Sequence, residues 1–183
     1  MEDKKLEFTK DELEEIEELK AKFPTAKAAT LRVLWLAQHK FGHVKEEVQM
    51  LVADTLELPR SHVHGVASFY TQYYKEEKGK FVLDVCTCLS CQLSGGYDIL
   101  HYLEDKLNID AGETTEDGMF TVNEVECLGA CGYAPMLQIT NDMYVNNLTE
   151  EKVDNLVDSL REGKVPDFDV KIMAQHDDRR KAL

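Results

Sequence analysis

The sequence predicts an α/β protein: a helical N-terminal bundle followed by a mixed-sheet domain. Three observations carry this. Apolar residues recur at helical spacing through about the first 75 residues. From residue 81 the texture changes to short β-rich runs interleaved with helical stretches. Five cysteines fall in two tight groups, DVCTCLSCQLSGG (84–96) and VECLGACGYAP (125–135), each just beyond a strand-like run.

The elements follow in order. Thr9-Lys-Asp-Glu12 fits a capping box before a first helix with Leu13, Ile16, Leu19 and Phe23 on its apolar face. Pro24 breaks it. Thr25 caps a second helix with Ala28, Leu31, Leu34, Trp35 and Phe41 inward, and Gly42 stops it. A third runs from about Lys45 to Leu56, with Val48, Leu51, Val52 and Thr55 at helical spacing, until Pro59. Ser61 is placed to cap a short fourth helix through Phe69. Four short helices with brief connections read as a small bundle. The run VASFYTQYY (66–74) has aromatics in every register, more than one core face needs, which marks a docking element.

FVLDV (81–85) is a strand, and Gly96 to Leu107 a helix with Ile99, Leu100, Leu103 and Leu107 on one face. Three strand-like runs follow at 118–126, 135–140 and 143–147, with Asn141-Asp142 as the turn between the last two. Thr149 to about Leu160 is the last helix, with Val153, Leu156, Val157 and Leu160 inward. The order β-α-β-β-β-α, or the same with one strand merged, makes a mixed sheet. The expected division is a helical domain at 1–78, a sheet domain at 79–163 and a tail at 164–183, disordered or laid along a partner.

Composition narrows the function. With 43% hydrophobic residues the chain can build a core without disulfide staples. Its five cysteines suit an intracellular metal or redox site better than a disulfide scaffold. A net charge of −14 argues against nucleic acid or an anionic membrane surface as a partner. The start, MEDKKLEFTKDELEEIEELK, has neither the apolar run of a signal peptide nor the basic character of a transit peptide. No apolar run approaches the roughly 18 residues of a spanning helix, so no direct membrane insertion is expected. Neither GxGxxG nor GxxxxGK(S/T) occurs, so the chain brings no nucleotide site of its own and no catalytic residue is assigned. His62 and His64 lie beside an aromatic run and read as packing or surface contacts.

Three arrangements of the cysteines stand open on the residues alone. Cys88-Leu-Ser-Cys91 can be a CxxC thiol–disulfide pair, since strand, CxxC and helix is the thioredoxin order. Four thiolates can hold structural zinc, although C-x₃-C departs from the usual knuckle. Cys86-x₄-Cys91 with Cys127-x₃-Cys131 can hold a [2Fe–2S] cluster, two thiolates to each iron, the wider spacing letting the loop arch over it. Glycines at 95, 96, 129 and 132 let backbone N–H groups approach an anionic cluster.

CTCLSCQLSGGYDIL and VECLGACGYAP, with LPRSHVHGVASFYTQY (58–73) and GETTEDGMFTVNEVECLGACGYAP (112–135), strongly resemble the thioredoxin-like [2Fe–2S] subunit of respiratory complex I, the E-subunit family of NADH-quinone oxidoreductase. The resemblance spans about residues 10–160. It implies a helical domain followed by a thioredoxin-like domain, and one [2Fe–2S] cluster on Cys86, Cys91, Cys127 and Cys131. It implies docking on the flavoprotein subunit that binds FMN and NADH, beside the larger iron–sulfur subunit of the complex. The expected place is cytoplasmic, peripheral to the inner membrane through that complex, rather than the mitochondrial matrix. Related subunits serve NAD-linked hydrogenases and formate dehydrogenases. Cys88 is a departure from the pattern. Pro135 stands where thioredoxin-like folds often carry a cis-proline.

Overall fold

The computed structural model describes residues 6–164 and the backbone of residues 171–172. The chain divides into two compact units, Met1–Glu77 and Lys78–Leu183.

The first unit holds four helices: α1 (Lys10–Ala21), α2 (Ala26–Phe41), α3 (Glu46–Leu56) and α4 (Arg60–Phe69). The capping box forms: Glu12 N–H donates to Thr9 Oγ1 at 3.3 Å, and Thr9 N–H to Glu12 Oε2 at 2.7 Å. The apolar stripe of α1 is narrower than its periodicity suggests. Ile16 is buried while Leu13 and Phe23 are exposed, because α1 packs chiefly on α2. On α2 the buried face is Ala29, Val33, Leu34, Leu36 and Ala37, and Ala28 faces out. Gly42 ends α2 in the left-handed conformation. Glu57, not Pro59, ends α3, at φ 54°. Pro59 instead precedes α4 in the cap position, displacing Ser61: its fixed φ suits a helix start, where an N–H has no partner to lose. The core gathers Ile16, Val33, Val48, Val52, Leu56, Val63 and Ala67. Tyr73 closes it by donating to Leu31 O at 2.7 Å, and burial pushes its phenol up to about 12. His62 makes a polar contact with Thr30 at 3.4 Å, and His64, exposed on the surface of the unit, one with Gln49 at 3.0 Å.

The second unit runs β1 (Phe81–Cys86), α5 (Leu89–Leu93), α6 (Gly96–Leu107), β2 (Phe120–Val125), a single 3₁₀ turn (Cys131–Tyr133), β3 (Leu137–Ile139), β4 (Met143–Val145), α7 (Glu150–Arg161) and β5 (Lys171–Ile172). The sheet order is β2-β1-β3-β4-β5, with β1 and β2 parallel and the remaining pairs antiparallel. Leu83 and Val85 of β1 and Phe120 and Val122 of β2 alternate onto the face that packs against α6 and α7. There they meet Ile99, Leu100 and Leu103, and Val153, Leu156, Val157 and Leu160. The β3–β4 turn centres one residue earlier than Asn141-Asp142. Thr140 and Asn141 both take positive φ, and Asp142 N–H closes on Ile139 O at 2.9 Å. The Ala134–Pro135 bond is cis. The expected tail lies outside the described residues apart from its first residue, Lys164, and β5, where Met143 pairs with Ile172. Among the described residues no helix is long and apolar enough to cross a membrane.

Candidate metal centre

The register of the parallel pair decides where the cysteines go. Cys86, the last residue of β1, lies opposite Val125, the last residue of β2. Both strands therefore release their loops at the same end of the sheet. Thr87 N–H donates to Val125 O at 3.1 Å, keeping the two exits together for one more residue. Cys86 N–H donates to Met136 O at 3.2 Å, so the segment that follows the second cysteine group returns to the same place.

The first loop is not the open arch that its spacing suggests. Cys88 sits in the cap position of α5, and Cys91 lies inside that five-residue helix. The sequence shows no sign of α5, because CLSCQL is too short for a periodicity. Gly95, at φ 92°, then turns the chain into α6. Gly96 is a contact point rather than a flexible one. A Cβ there would stand 2.9 Å from Cys86 O and 2.9 Å from the carbonyl carbon and oxygen of Cys91. The start of α6 is thus pressed against the backbone of both cysteines.

The five thiols meet at this end. Cys86 and Cys91 are buried, Cys88 is half-buried, and Cys127 and Cys131 are exposed. Cys127 Sγ and Cys131 Sγ are 3.6 Å apart, and Gly129 N–H donates to Cys127 Sγ at 3.4 Å. The Cys91 thiol lies beside Cys86 at the end of β1, while Cys88 and Ser90 of the first loop lie beside Cys127 and Cys131 of the second. The loops are therefore interlocked. Among the described residues no three of these side chains are drawn around a common ion centre. Cys127 and Cys131 are paired with each other instead.

Their proton affinities separate accordingly. Burial pushes the Cys91 thiol up to about 12, and its bond with Cys86 adds to this. Cys127 is lowered, first by the Gly129 N–H and then by Cys131. Cys131 is raised by its bond with Cys127. The two exposed thiols titrate as a coupled pair.

Beneath the thiols lie two residues that the sequence does not single out. Met136 and Tyr144 are buried with Cys86 and Cys91. Tyr144 O–H donates to Leu128 O at 2.6 Å, which ties the second loop to the sheet. Beside them Glu124 Oε1 accepts from Thr87 Oγ1 and from the Tyr97 hydroxyl, each at 2.8 Å. Asp84, two residues before Cys86, is buried, and burial raises its carboxyl although Asn123 donates to it at 2.8 Å.

This geometry weighs the three arrangements. A CxxC pair of the thioredoxin kind needs an accessible thiol with lowered proton affinity. A buried, raised Cys91 fits the second position of such a pair, but that pair leaves Cys86, Cys127 and Cys131, gathered at the same end of the sheet, without a role. The donor set suits a thiophilic metal group: four sulfurs besides Cys88, two from each loop, with no carboxylate or imidazole among them. A group of that kind would draw off the Cys91 proton that burial otherwise retains.

The comparisons with known proteins agree with a metal-group fold. Residues 16–161 match the family model described as thioredoxin-like [2Fe-2S] ferredoxin. A protein of Rhizobium meliloti, named as an E-type component of NADH-quinone oxidoreductase, is 42% identical over 148 residues, covering 81% of this chain and 88% of its own. One of Thermus thermophilus, named NADH-quinone oxidoreductase subunit 2, is 39% identical, covering 86% of this chain and 88% of its own. Among solved structures, an NAD+-reducing [NiFe]-hydrogenase aligns with a TM-score of 0.63 at 18% identity. The alignment covers 73% of this chain and 23% of that one, so the likeness is one of fold.

Proposed function

The chain belongs to the thioredoxin-like [2Fe–2S] ferredoxin family, and from that premise we propose that it is an electron-transfer subunit of a multi-subunit NADH-quinone oxidoreductase. Its cofactor is one [2Fe–2S] cluster, held by Cys86, Cys91, Cys127 and Cys131. The observation that carries the reading is that two cysteine pairs leave the sheet at the same end, where parallel β1 and β2 stop in register. When bound, the cluster takes up and returns one electron at a time.

The chain's own residues do the rest. The four thiols bind as thiolates and release their protons to solvent on loading. Gly129 N–H, already aimed at Cys127 Sγ, donates to a sulfur that carries negative charge. Burial of Cys86 and Cys91 keeps water from one side of the site, and Met136 and Tyr144 form its floor. Tyr144 fixes the second loop through Leu128. Cys88, beside Cys127, lies outside the ligand set.

NADH oxidation belongs to partners. An FMN- and NADH-binding flavoprotein and a larger iron–sulfur subunit are the neighbours this reading requires, since the sequence holds no nucleotide-binding motif. Residues 1–78 serve as a docking domain. Phe69 at 78% exposure and Tyr70 at 37% offer it apolar contact area. Residues 79–163 hold the cluster, and residues 164–183 are a tail available to the complex. The assembly is cytoplasmic and peripheral to the membrane. Relatives at 39–42% identity carry the quinone-reductase name, whereas the hydrogenase likeness is one of fold, which favours the first enzyme over the second.

The test is NADH-dependent reduction followed by the reduced-cluster paramagnetic signal. The chain alone with NADH gives no signal and no dye reduction, and adding the flavoprotein subunit gives both. Turnover by the chain alone contradicts the assignment.

A further inference from the structure

We propose that Glu124 is a positioning residue that locks the two ligand loops to each other. The inference rests on the cluster assignment above. Glu124 lies on β2 three residues before Cys127, on the strand that leads into the second loop. Its single oxygen Oε1 accepts from Thr87, which lies between Cys86 and Cys88 in the first loop. The same atom accepts from Tyr97, the residue after the Gly96 that presses on the Cys86 and Cys91 backbones. One carboxylate thus joins three pieces: the strand entering the second loop, the first loop, and the start of α6.

The chemistry favours this role. Both bonds are charge-assisted and 2.8 Å long, and both hydroxyls act to hold the carboxylate ionised, Thr87 first and Tyr97 second. Two backbone bonds, Thr87 N–H to Val125 O and Cys86 N–H to Met136 O, hold the loop exits together, and the other side-chain contacts between the loops run through Cys88 and Ser90 against Cys127 and Cys131. Those side-chain contacts change when a cluster binds. The Glu124 bonds involve no sulfur, so they persist in the loaded protein and set the separation of the ligand pairs independently of it. Glu124 is exposed, so its removal leaves no unsatisfied group in a core.

The experiment uses the purified, cluster-loaded chain, with cluster release to a chelator followed by loss of visible absorption. Glu124→Ala is expected to release the cluster several-fold faster than the parent and to broaden or shift the reduced-state paramagnetic signal. Its helix content and unfolding temperature in the loaded state before release stay near those of the parent. Glu124→Gln keeps an oxygen that accepts both hydroxyls and is expected to restore the parent's release rate and signal. The double variant Thr87→Val, Tyr97→Phe is expected to match Glu124→Ala, and each single change to fall between. Release from Glu124→Ala at the parent's rate with an unchanged signal overturns the inference, as does Glu124→Gln behaving like Glu124→Ala. If the parent chain itself binds no iron, the cluster assignment has failed rather than the role of Glu124.

Discussion

Gly96→Ala separates the structure from the sequence rules most sharply. Gly96 opens α6 without positive φ, so helix propensity alone predicts that alanine stabilises by up to about 1 kcal/mol. The structure predicts the reverse. The new methyl would stand 2.9 Å from Cys86 O and 2.9 Å from the Cys91 carbonyl atoms. All three neighbours are backbone, so no side chain can swing aside. Either α6 backs away or the first ligand loop does. Forcing a methyl into such a contact costs about 1–3 kcal/mol, which leaves a net loss of up to about 2 kcal/mol once the full propensity gain is subtracted. The displaced loop carries two of the four proposed ligands, so iron retention should fall along with stability. Gly65→Ala is the matched control. Gly65 lies inside α4 with nothing within 4 Å of the new methyl, and the change should be neutral or stabilise by about 0.5–1 kcal/mol. Chemical unfolding of both variants, with iron content beside it, gives the comparison. A Gly96→Ala protein as stable and as iron-rich as the parent would refute the close approach of α6 to the cysteine loop.

Three more outcomes follow from the same geometry. Tyr144→Phe removes the 2.6 Å bond to Leu128 O and leaves that carbonyl without this donor; it should cost about 1–2 kcal/mol in unfolding experiments and speed cluster release. Tyr73→Phe loses the bond to Leu31 O in the helical unit and should cost a similar amount, about 1–2 kcal/mol, while leaving the iron content unchanged. Asp154 is lowered by Lys106 and then by Tyr102, so its contribution to stability is present above its unfolded value and disappears as pH falls through the folded one. The acid side of the stability–pH profile should therefore flatten in Asp154→Asn, read by thermal unfolding between neutral pH and pH about 3.

The legible part of the fold is the part written in local patterns. Thr9 and Glu12 announce the start of α1 by a reciprocal bond that needs only three residues of separation. The apolar faces of α6 and α7 repeat over three turns and pack as their spacing says. Periodicity marks which positions are apolar, not which neighbour arrives to cover them, and so Leu13, Phe23 and Ala28 sit at inward-reading positions yet lie exposed. The turn at Thr140-Asn141 is hidden from sequence because a β-branched residue at positive φ is disfavoured locally and is held there by the pairing of β3 with β4. At the site, the two cysteine groups stand out by clustering alone. What surrounds them does not. The bonds of Tyr144 to Leu128 and of Glu124 to Thr87 span 16 and 37 residues, and nothing in either stretch signals the other. α5 is too short to show a period at all.

The central claim is that two cysteines from each loop hold one two-iron cluster, with Cys88 outside the set. Iron and acid-labile sulfide analysis of the anaerobically purified chain, with the paramagnetic spectrum after reduction, tests it most directly when the parent is measured beside Cys86→Ser and Cys88→Ser. The parent should contain about two irons and two sulfides per chain. Cys88→Ser should keep both and the parent's signal. Cys86→Ser should lose or strongly alter them, because a serine oxygen is a harder and poorer ligand for this centre. Zinc in place of iron in the parent, or a cluster lost in Cys88→Ser and kept in Cys86→Ser, would contradict the account.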